Sequence, residues 1–418
     1  MPTYDVLIVG AGLAGLGCAR ELHRHGVSCK VIEASDGVGG RVRTDEVDGF
    51  LLDRGFQVML TAYPEAQRVL DYDALDFRSF YDGALVRFDG RFHRIADPLR
   101  EPLAAPATVF APVGTLGDKL RTLRLRQAVR APDLDALWAR AEITTGAALR
   151  ERYGFSEKMT RRFFEPFLGG ILLDPDLGTS SRAFEFYFRM FSEGETAVPA
   201  RGMQQIPEQL AAGLEDHTVQ LNTRVQHAGP GSVTLETGAE VEARAVVVAT
   251  DGPELAYLLD GFDPPASRSV VCLYYAAPEA PTEDPVLVLD GEGGGPVNNV
   301  AVMSNVSPHY APPGQHLVSV SVIGNPTQSD AEVEMGVRAH LSRWYRGAES
   351  WRHLKTYRIL HAQPEQAPPT LSPPERPAKL SHGLYLAGDH RTNASINGAL
   401  VSGRRAAEAV LADLGVPA

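Results

Sequence analysis

Apolar residues fall into short runs along the chain, and their periods predict alternating strands and helices. Residues 4–9 (YDVLIV) form a nearly continuous apolar run, suited to a strand buried on both faces of a parallel sheet. A glycine-rich turn occupies 10–15. Residues 16–24 are compatible with a helix, which Gly26 can terminate by taking a left-handed conformation. A second strand at 27–32 ends at Glu33. Further on, 116–129 and 134–152 read as helices, and 182–191 places Phe184, Tyr187, Phe188 and Phe191 at helical spacing. Short strands are expected at 219–225, 233–237 and 245–249. Others at 270–276, 286–289 and 317–323 suggest a second sheet. A last buried strand at 384–387 leads to a helix starting near Ser395. Two stretches resist regular structure: the Pro/Ala-rich 98–112, and 364–377, where six prolines remove backbone donors and fix φ. Gly291 to Gly295 reads as a loop, and no internal repeat is evident.

Composition narrows the class. A chain of 418 residues has room for two or three domains, and 44% hydrophobic with 22% charged residues is an ordinary globular balance. A net charge of -12 disfavours non-specific contact with nucleic acid or anionic lipid. Cys18, Cys29 and Cys272 form no C-x-x-C pair, which argues against a metal site or a disulfide framework and fits a reducing cytoplasm. The apolar run 6–19 lacks the basic flank of a signal peptide, and no run reaches the ~18 residues of a membrane span. The expectation is a soluble cytoplasmic protein, with peripheral membrane contact left open.

The chemistry starts at Gly10-Ala11-Gly12-Leu13-Ala14-Gly15. In a strand–turn–helix context, Gly10 permits the tight turn, Gly12 lets a pyrophosphate approach the backbone, and Gly15 lets the helix pack on the sheet. The helix N-terminus adds free N–H groups and partial positive charge. Glu33, 18 residues beyond Gly15, is placed for adenosine ribose hydroxyls and disfavours a 2′-phosphate. Just after it, Gly39-Gly40-Arg41 returns a cation to the pyrophosphate, an element that NAD dehydrogenases do not need. These features favour FAD.

Four stretches together resemble the FAD-dependent amine oxidase superfamily, which includes monoamine oxidases, protoporphyrinogen oxidases and phytoene desaturases. They are the 5–15 segment; 31–41 continued by Asp53-Arg54-Gly55; 198–203 with Ile206 and Leu210; and 384–389 leading into 395–403. The resemblance implies that Gly55, Phe56 and Gln57 run near the flavin ring. It implies that Val225, in a strand at 222–226, pairs with the adenine edge, and that Gly388 and Asp389 lie at the phosphate–ribitol part. A helix starting near Ile396 would aim its N-terminus at flavin N1, where reduced flavin is anionic. There are departures. No lysine occupies 269–275, the stretch comparable to the substrate strand where many amine-oxidising members carry one, and 393–397 has no aromatic residue. No cysteine follows Cys272, so FAD is expected to be bound non-covalently. The segments 395–403 and 164–170 look more like the desaturase branch.

The expected fold is therefore α/β: a discontinuous Rossmann-like FAD domain (1–85, 200–265 and 375–418) with an α+β substrate domain (86–199 and 266–374). The expected reaction is hydride removal from a carbon centre of a hydrophobic small molecule, with oxygen or a quinone as acceptor. Alternatives are a flavin amine oxidase, a redox-neutral flavoenzyme such as a mutase or isomerase, and a non-catalytic flavin-binding protein. His390 could face the flavin, Arg201 could meet an anionic substrate group, and Tyr274, Tyr275 and the Phe184–Phe191 stripe could line an apolar tunnel. A loop position explains the first two more plainly, and core packing explains Cys272 and most of the aromatic residues. No catalytic base is assigned.

Overall fold

The computed structural model describes residues 4–97, 100, 101, 103, 105–263 and 265–417. Two sheets organise them. The first has eight strands. Tyr4–Val9 lies at its centre, parallel to Cys29–Ile32 on one side and Glu240–Val248 on the other. Val219–Gln220 extends it beyond Cys29–Ile32, and Leu384–Leu386 joins Glu240–Val248 in parallel. The strands Val225–Gly229 and Ser232–Leu235 continue it as an antiparallel meander. Alternation decides the two faces: Val6 and Ile8 enter the main core, whereas Leu7 and Val9 enter a second apolar cluster.

The second sheet has seven strands in the order Arg352–Pro364, Ser267–Ala277, His316–Ile323, Asn299–Val302, Leu287–Asp290, Gly83–Phe88, Arg91–Ala96. Here too one strand serves two cores. Cys272, Tyr274 and Ala276 face the main core, while Val271, Leu273 and Tyr275 pack under the helix Asp330–Trp344. Helices Leu116–Arg130 and Ser181–Glu193 pack together in a helical layer. The arrangement is the α/β architecture expected, with a Rossmann-like sheet and a separate β-rich substrate region.

Several elements differ from the sequence reading. The first helix is Leu13–Arg24, beginning inside the glycine motif, because Gly12 is extended and acts as its N-cap. The helix expected over 134–152 is broken after Trp138. Arg140 turns back to the Ala128 carbonyl (2.6 Å) and to buried Glu185 (3.0 Å), and the remainder is the short helix Thr145–Ala147 with a wide turn Ala148–Arg152. The strand placed at 222–226 starts at Val225. Asn222 has a left-handed φ of 52°, and the Asn222 and Thr223 amides donate to the Ser35 and Glu33 carbonyls (3.0 and 2.9 Å), wrapping the chain around the strand end. The 13-residue strand Arg352–Pro364 and the helix Asp330–Trp344 had no counterpart in the sequence reading. The Pro/Ala-rich stretch 98–112 falls partly on residues outside those described.

Asp53 ties the motif Asp53-Arg54-Gly55 to the second sheet. Its buried carboxylate accepts from Thr44 Oγ1 (2.6 Å), the Met203 amide (3.0 Å) and the Tyr310 hydroxyl (2.8 Å), and its carbonyl accepts from Tyr274 (2.8 Å). Burial pushes the carboxyl up to about 6, outweighing these donors. The folded state therefore holds this proton more tightly than the unfolded chain. Stability from this group falls as pH rises from about 4 to about 6 and is flat above. An isosteric Asp53→Asn variant lacks that loss. Denaturant titrations at several pH values should show its stability relative to wild type rising by about 3 kcal/mol between pH 4 and 7. A difference that stays constant with pH would refute the assignment.

Candidate functional site

A cavity of about 660 Å³ opens where the two sheets meet. Of the residues singled out from sequence, Gly10, Gly12, Leu13, Ala14, Glu33, Gly40, Arg41, Gly55, Phe56, Gln57, Val225, Gly388, Asp389 and Ile396 all border it. Gly15 does not. Its role is internal, since a Cβ there would lie 2.0 Å from the Gly10 carbonyl oxygen. Gly10 is likewise required by the fold, with φ of +103° and the Ala249 carbonyl oxygen 2.9 Å from a hypothetical Cβ.

Gly12 is different. Its φ of -72° suits any residue, and a Cβ would meet nothing within 4 Å. The protein's own packing does not demand glycine there, so the open space on the cavity side fits a group lying against the backbone. Two helix N-termini face the same cavity: Leu13 and Ala14 begin one helix, and Ser395, Ile396 and Ala399 lie at the start of Ile396–Leu414. The first amides of a helix have no partner within it and carry partial positive charge, so each end favours an anionic ligand atom.

Around these ends the polar groups are pre-set. Glu33 accepts the Ala11 and Ser35 amides (2.8 Å each), which shapes the turn and leaves each oxygen a further lone pair. Arg41 pairs with Asp389 at 2.8 Å and donates to the Ala362 carbonyl at 2.9 Å. Gln57 donates to the Arg41 carbonyl (2.8 Å) and the Arg54 carbonyl (3.1 Å), holding 54–57 against the cavity. These donors, acceptors and helix ends fit a flavin dinucleotide.

The other end is apolar; the sequence reading reached it only through the Phe184–Phe191 stripe and did not single out the rest. Phe167 and Ile171 reach it from the helix Glu165–Leu172, Phe191 and Tyr187 from Ser181–Glu193, and Leu287 from the second sheet. Tyr187 and Phe191 lay in the aromatic stripe, four residues apart, where cavity lining and core packing look alike. Tyr187 donates to the Ala394 carbonyl at 3.0 Å. An aromatic ring therefore stands beside the 393–397 segment that contains none, supplied by another helix. Asn299 and Ser321 add the polar part of the wall from adjacent strands. Val270 lies on the wall too, and no lysine or histidine lines the cavity among the described residues.

The remaining candidates sit elsewhere. His390 is buried beneath Gly388, with both ring nitrogens unpartnered and burial holding it neutral, down to about 4. Arg201 is exposed. Cys272 is buried with its Sγ 3.5 Å from Ser319 Oγ, and Tyr275 packs against Trp351 on the far face.

Residues 13–411 match the family model described as flavin containing amine oxidoreductase, and the chain belongs to this family of FAD-dependent oxidoreductases. Coproporphyrinogen III oxidase of Propionibacterium freudenreichii subsp. freudenreichii is 30% identical over 173 residues, 40% of this chain and 31% of that one. Putrescine oxidase of Kocuria rosea is 27% identical over 294 residues, 63% of this chain and 60% of the relative. The matched regions thus span under two thirds of these relatives. A solved putrescine oxidase structure, a redesigned triple mutant, superposes with a TM-score of 0.75 at 19% identity, covering 98% of this chain and 99% of that one, which shows a shared fold.

Two substitutions separate packing from ligand contact. Gly12→Val should leave thermal stability close to wild type yet abolish FAD binding. Arg41→Ala should weaken binding by roughly 1.5–3 kcal/mol, the worth of a charge-assisted hydrogen bond. Isothermal titration of apoprotein with FAD measures both, and unchanged affinity in the two variants would place the dinucleotide elsewhere.

Proposed function

We propose that this protein is an oxidase that removes hydride from the carbon beside nitrogen in a small hydrophobic amine, with non-covalent FAD and dioxygen as acceptor. The observation that carries this reading is the apolar chamber walled by Phe167, Tyr187 and Phe191 and joined to the dinucleotide end of one cavity. Likeness to putrescine oxidase favours the amine alternative over the desaturase-like reading of the sequence, whereas likeness to coproporphyrinogen III oxidase favours the second reading below. Bound in this cavity, FAD would accept the hydride and pass its electrons to dioxygen.

The chain's part is positioning and exclusion of water. Tyr187 and Phe191 restrict the substrate body, and Asn299 and Ser321 offer neutral hydrogen-bonding groups. Burial holds the Tyr187 and Tyr63 phenols well above their ordinary range, so neither supplies a base near neutral pH. With no lysine or histidine on the described wall, the amine must arrive unprotonated. We also propose the division into a dinucleotide unit (1–85, 200–265, 375–418) and a substrate unit (86–199, 266–374). The eight-stranded sheet draws every strand from the first set. The seven-stranded sheet draws all its strands from the second except Gly83–Phe88, which crosses residue 85.

A second reading, dehydrogenation of a carbon–carbon bond in a porphyrinogen or polyene, is favoured by Val270 standing on the wall of a cavity without lysine. Anaerobic mixing separates the two. Benzylamine, cyclohexylamine or putrescine should bleach the flavin within seconds. Bleaching by porphyrinogens or polyenes alone would replace the amine reading.

A pH series gives an independent check. The acidic limb of kcat/KM should follow the substrate's own amine pKa, shifting to lower pH by the same amount for a less basic amine. A limb fixed across substrates would reveal a base on the protein.

A further inference from the structure

A second cavity, of about 920 Å³, lies between the start of helix Glu165–Leu172, the end of strand His316–Ile323 and the start of helix Asp330–Trp344. Gly291, Gly293 and Gly295 of the glycine-rich loop line it as well. Pro166 borders both this cavity and the one where the two sheets meet. Two further pairs of sequence neighbours divide between them. Asn298 and Val322 line the second cavity, whereas Asn299 and Ser321 line the first. Successive side chains of an extended segment point to opposite faces, so the wall here is a single layer of residues.

The Asn298 side chain closes that layer. Its Nδ2 donates to the Pro166 carbonyl (3.0 Å) and to Asn299 Oδ1 (2.9 Å). Gly170, on the wall of the first cavity, leaves room for it, since a Cβ there would lie 2.7 Å from Asn298 Nδ2. The Asn298 backbone is fixed separately. Its amide donates to the Ser321 carbonyl (2.8 Å), and its carbonyl accepts from the Asp290 amide (3.0 Å). Rotation of the side chain therefore breaks two neutral hydrogen bonds and moves no strand, a motion of low cost on a short timescale.

Glu165 stands beside this latch, one residue before Pro166. Of the five acids lining the second cavity, it alone has no hydrogen bond or ion pair among the described residues. Asp290 accepts the Glu292 and Gly293 amides, Glu292 accepts the Gly90 amide, Glu332 caps its helix, and Glu157 pairs with Arg161 at 3.9 Å. Burial raises the pKa of Glu165; Arg161 lowers it, and Glu157 and Asp176 raise it again. A half-buried carboxylate without a partner is stabilised by an arriving cation. We propose that the second cavity is the substrate's way in, where Glu165 receives the ammonium of the amine and Asn298 is the latch to the apolar chamber. The amine gives up its proton to solvent in the open cavity before it passes. A dinucleotide between the helix starts would fill the opposite end, which leaves this wall as the approach. The role of Glu165 rests on the amine reading, and that of Asn298 does not.

Stopped-flow mixing of the flavin-loaded protein tests both residues. Benzylamine is followed by anaerobic bleaching, and neutral benzyl alcohol by its perturbation of the flavin spectrum. Asn298→Trp fills the partition and should slow entry of both probes by about tenfold or more while flavin stays bound. Asn298→Ala opens the partition, adds no bulk and should speed both. Glu165→Gln should raise the apparent Kd of benzylamine by roughly fivefold, the scale of a half-exposed ion pair. Its limiting bleaching rate and its affinity for benzyl alcohol should not change. Entry rates equal to wild type in both Asn298 variants would overturn the latch, and an unchanged benzylamine Kd in Glu165→Gln would overturn the role of the acid. Benzyl alcohol entry that responds to Asn298 while no amine bleaches the flavin would support the latch and sink the amine reading instead.

Discussion

Two helices, Leu13–Arg24 and Ile396–Leu414, cross so closely that Gly403 can carry no side chain at the contact, and the cavity depends on that approach. A Cβ on Gly403, in Ile396–Leu414, would lie 2.2 Å from the Ala14 carbonyl oxygen, and one on Gly17 would already touch Leu400 at 3.5 Å. The approach brings the starts of the first and last helices of the chain to one cavity, so that two sets of unpaired amides face a single ligand. Gly15 holds the first helix against its turn, Ser402 Oγ accepts the Gly388 amide at 3.0 Å, and Thr392 Oγ1 donates to the Gly398 carbonyl at 2.8 Å. The crossing itself, Gly403 against Ala14, joins residues nearly 400 positions apart. The dinucleotide end is therefore a consequence of backbone packing, and its side chains refine it.

That dependence explains what could be read from sequence. A backbone cradle needs glycines at set intervals, and intervals are visible in one dimension. Gly10, Gly12, Glu33 and Arg41 were legible for that reason, as were the parallel strands with their unbroken apolar runs. The first helix starts earlier than its hydrophobic period indicates, because Gly12 serves as a cap and the period alone does not register caps. Arg352–Pro364 escaped notice because it is an edge strand whose side chains are mostly half-buried or exposed and often charged, so no apolar alternation marks it. The break after Trp138 was hidden for a related reason. It is set by Arg140 reaching Glu185, a contact 45 residues distant.

The apolar end was less legible still. Tyr187 stands beside Ala394 from a distant helix, so a search for an aromatic residue within 393–397 looks in the wrong part of the chain. Asn299 and Ser321 become neighbours only through strand pairing. Side chains that line a chamber come from whichever elements happen to meet there, and nothing in their local spacing distinguishes them from core.

The central claim is that these converging helix ends hold one flavin dinucleotide without a covalent bond. Acid precipitation of purified, flavin-reconstituted protein, followed by chromatography of the supernatant, tests it directly. The account predicts one FAD released per chain and a colourless pellet. A protein that takes up no FAD, or a pellet that retains the flavin, would contradict it.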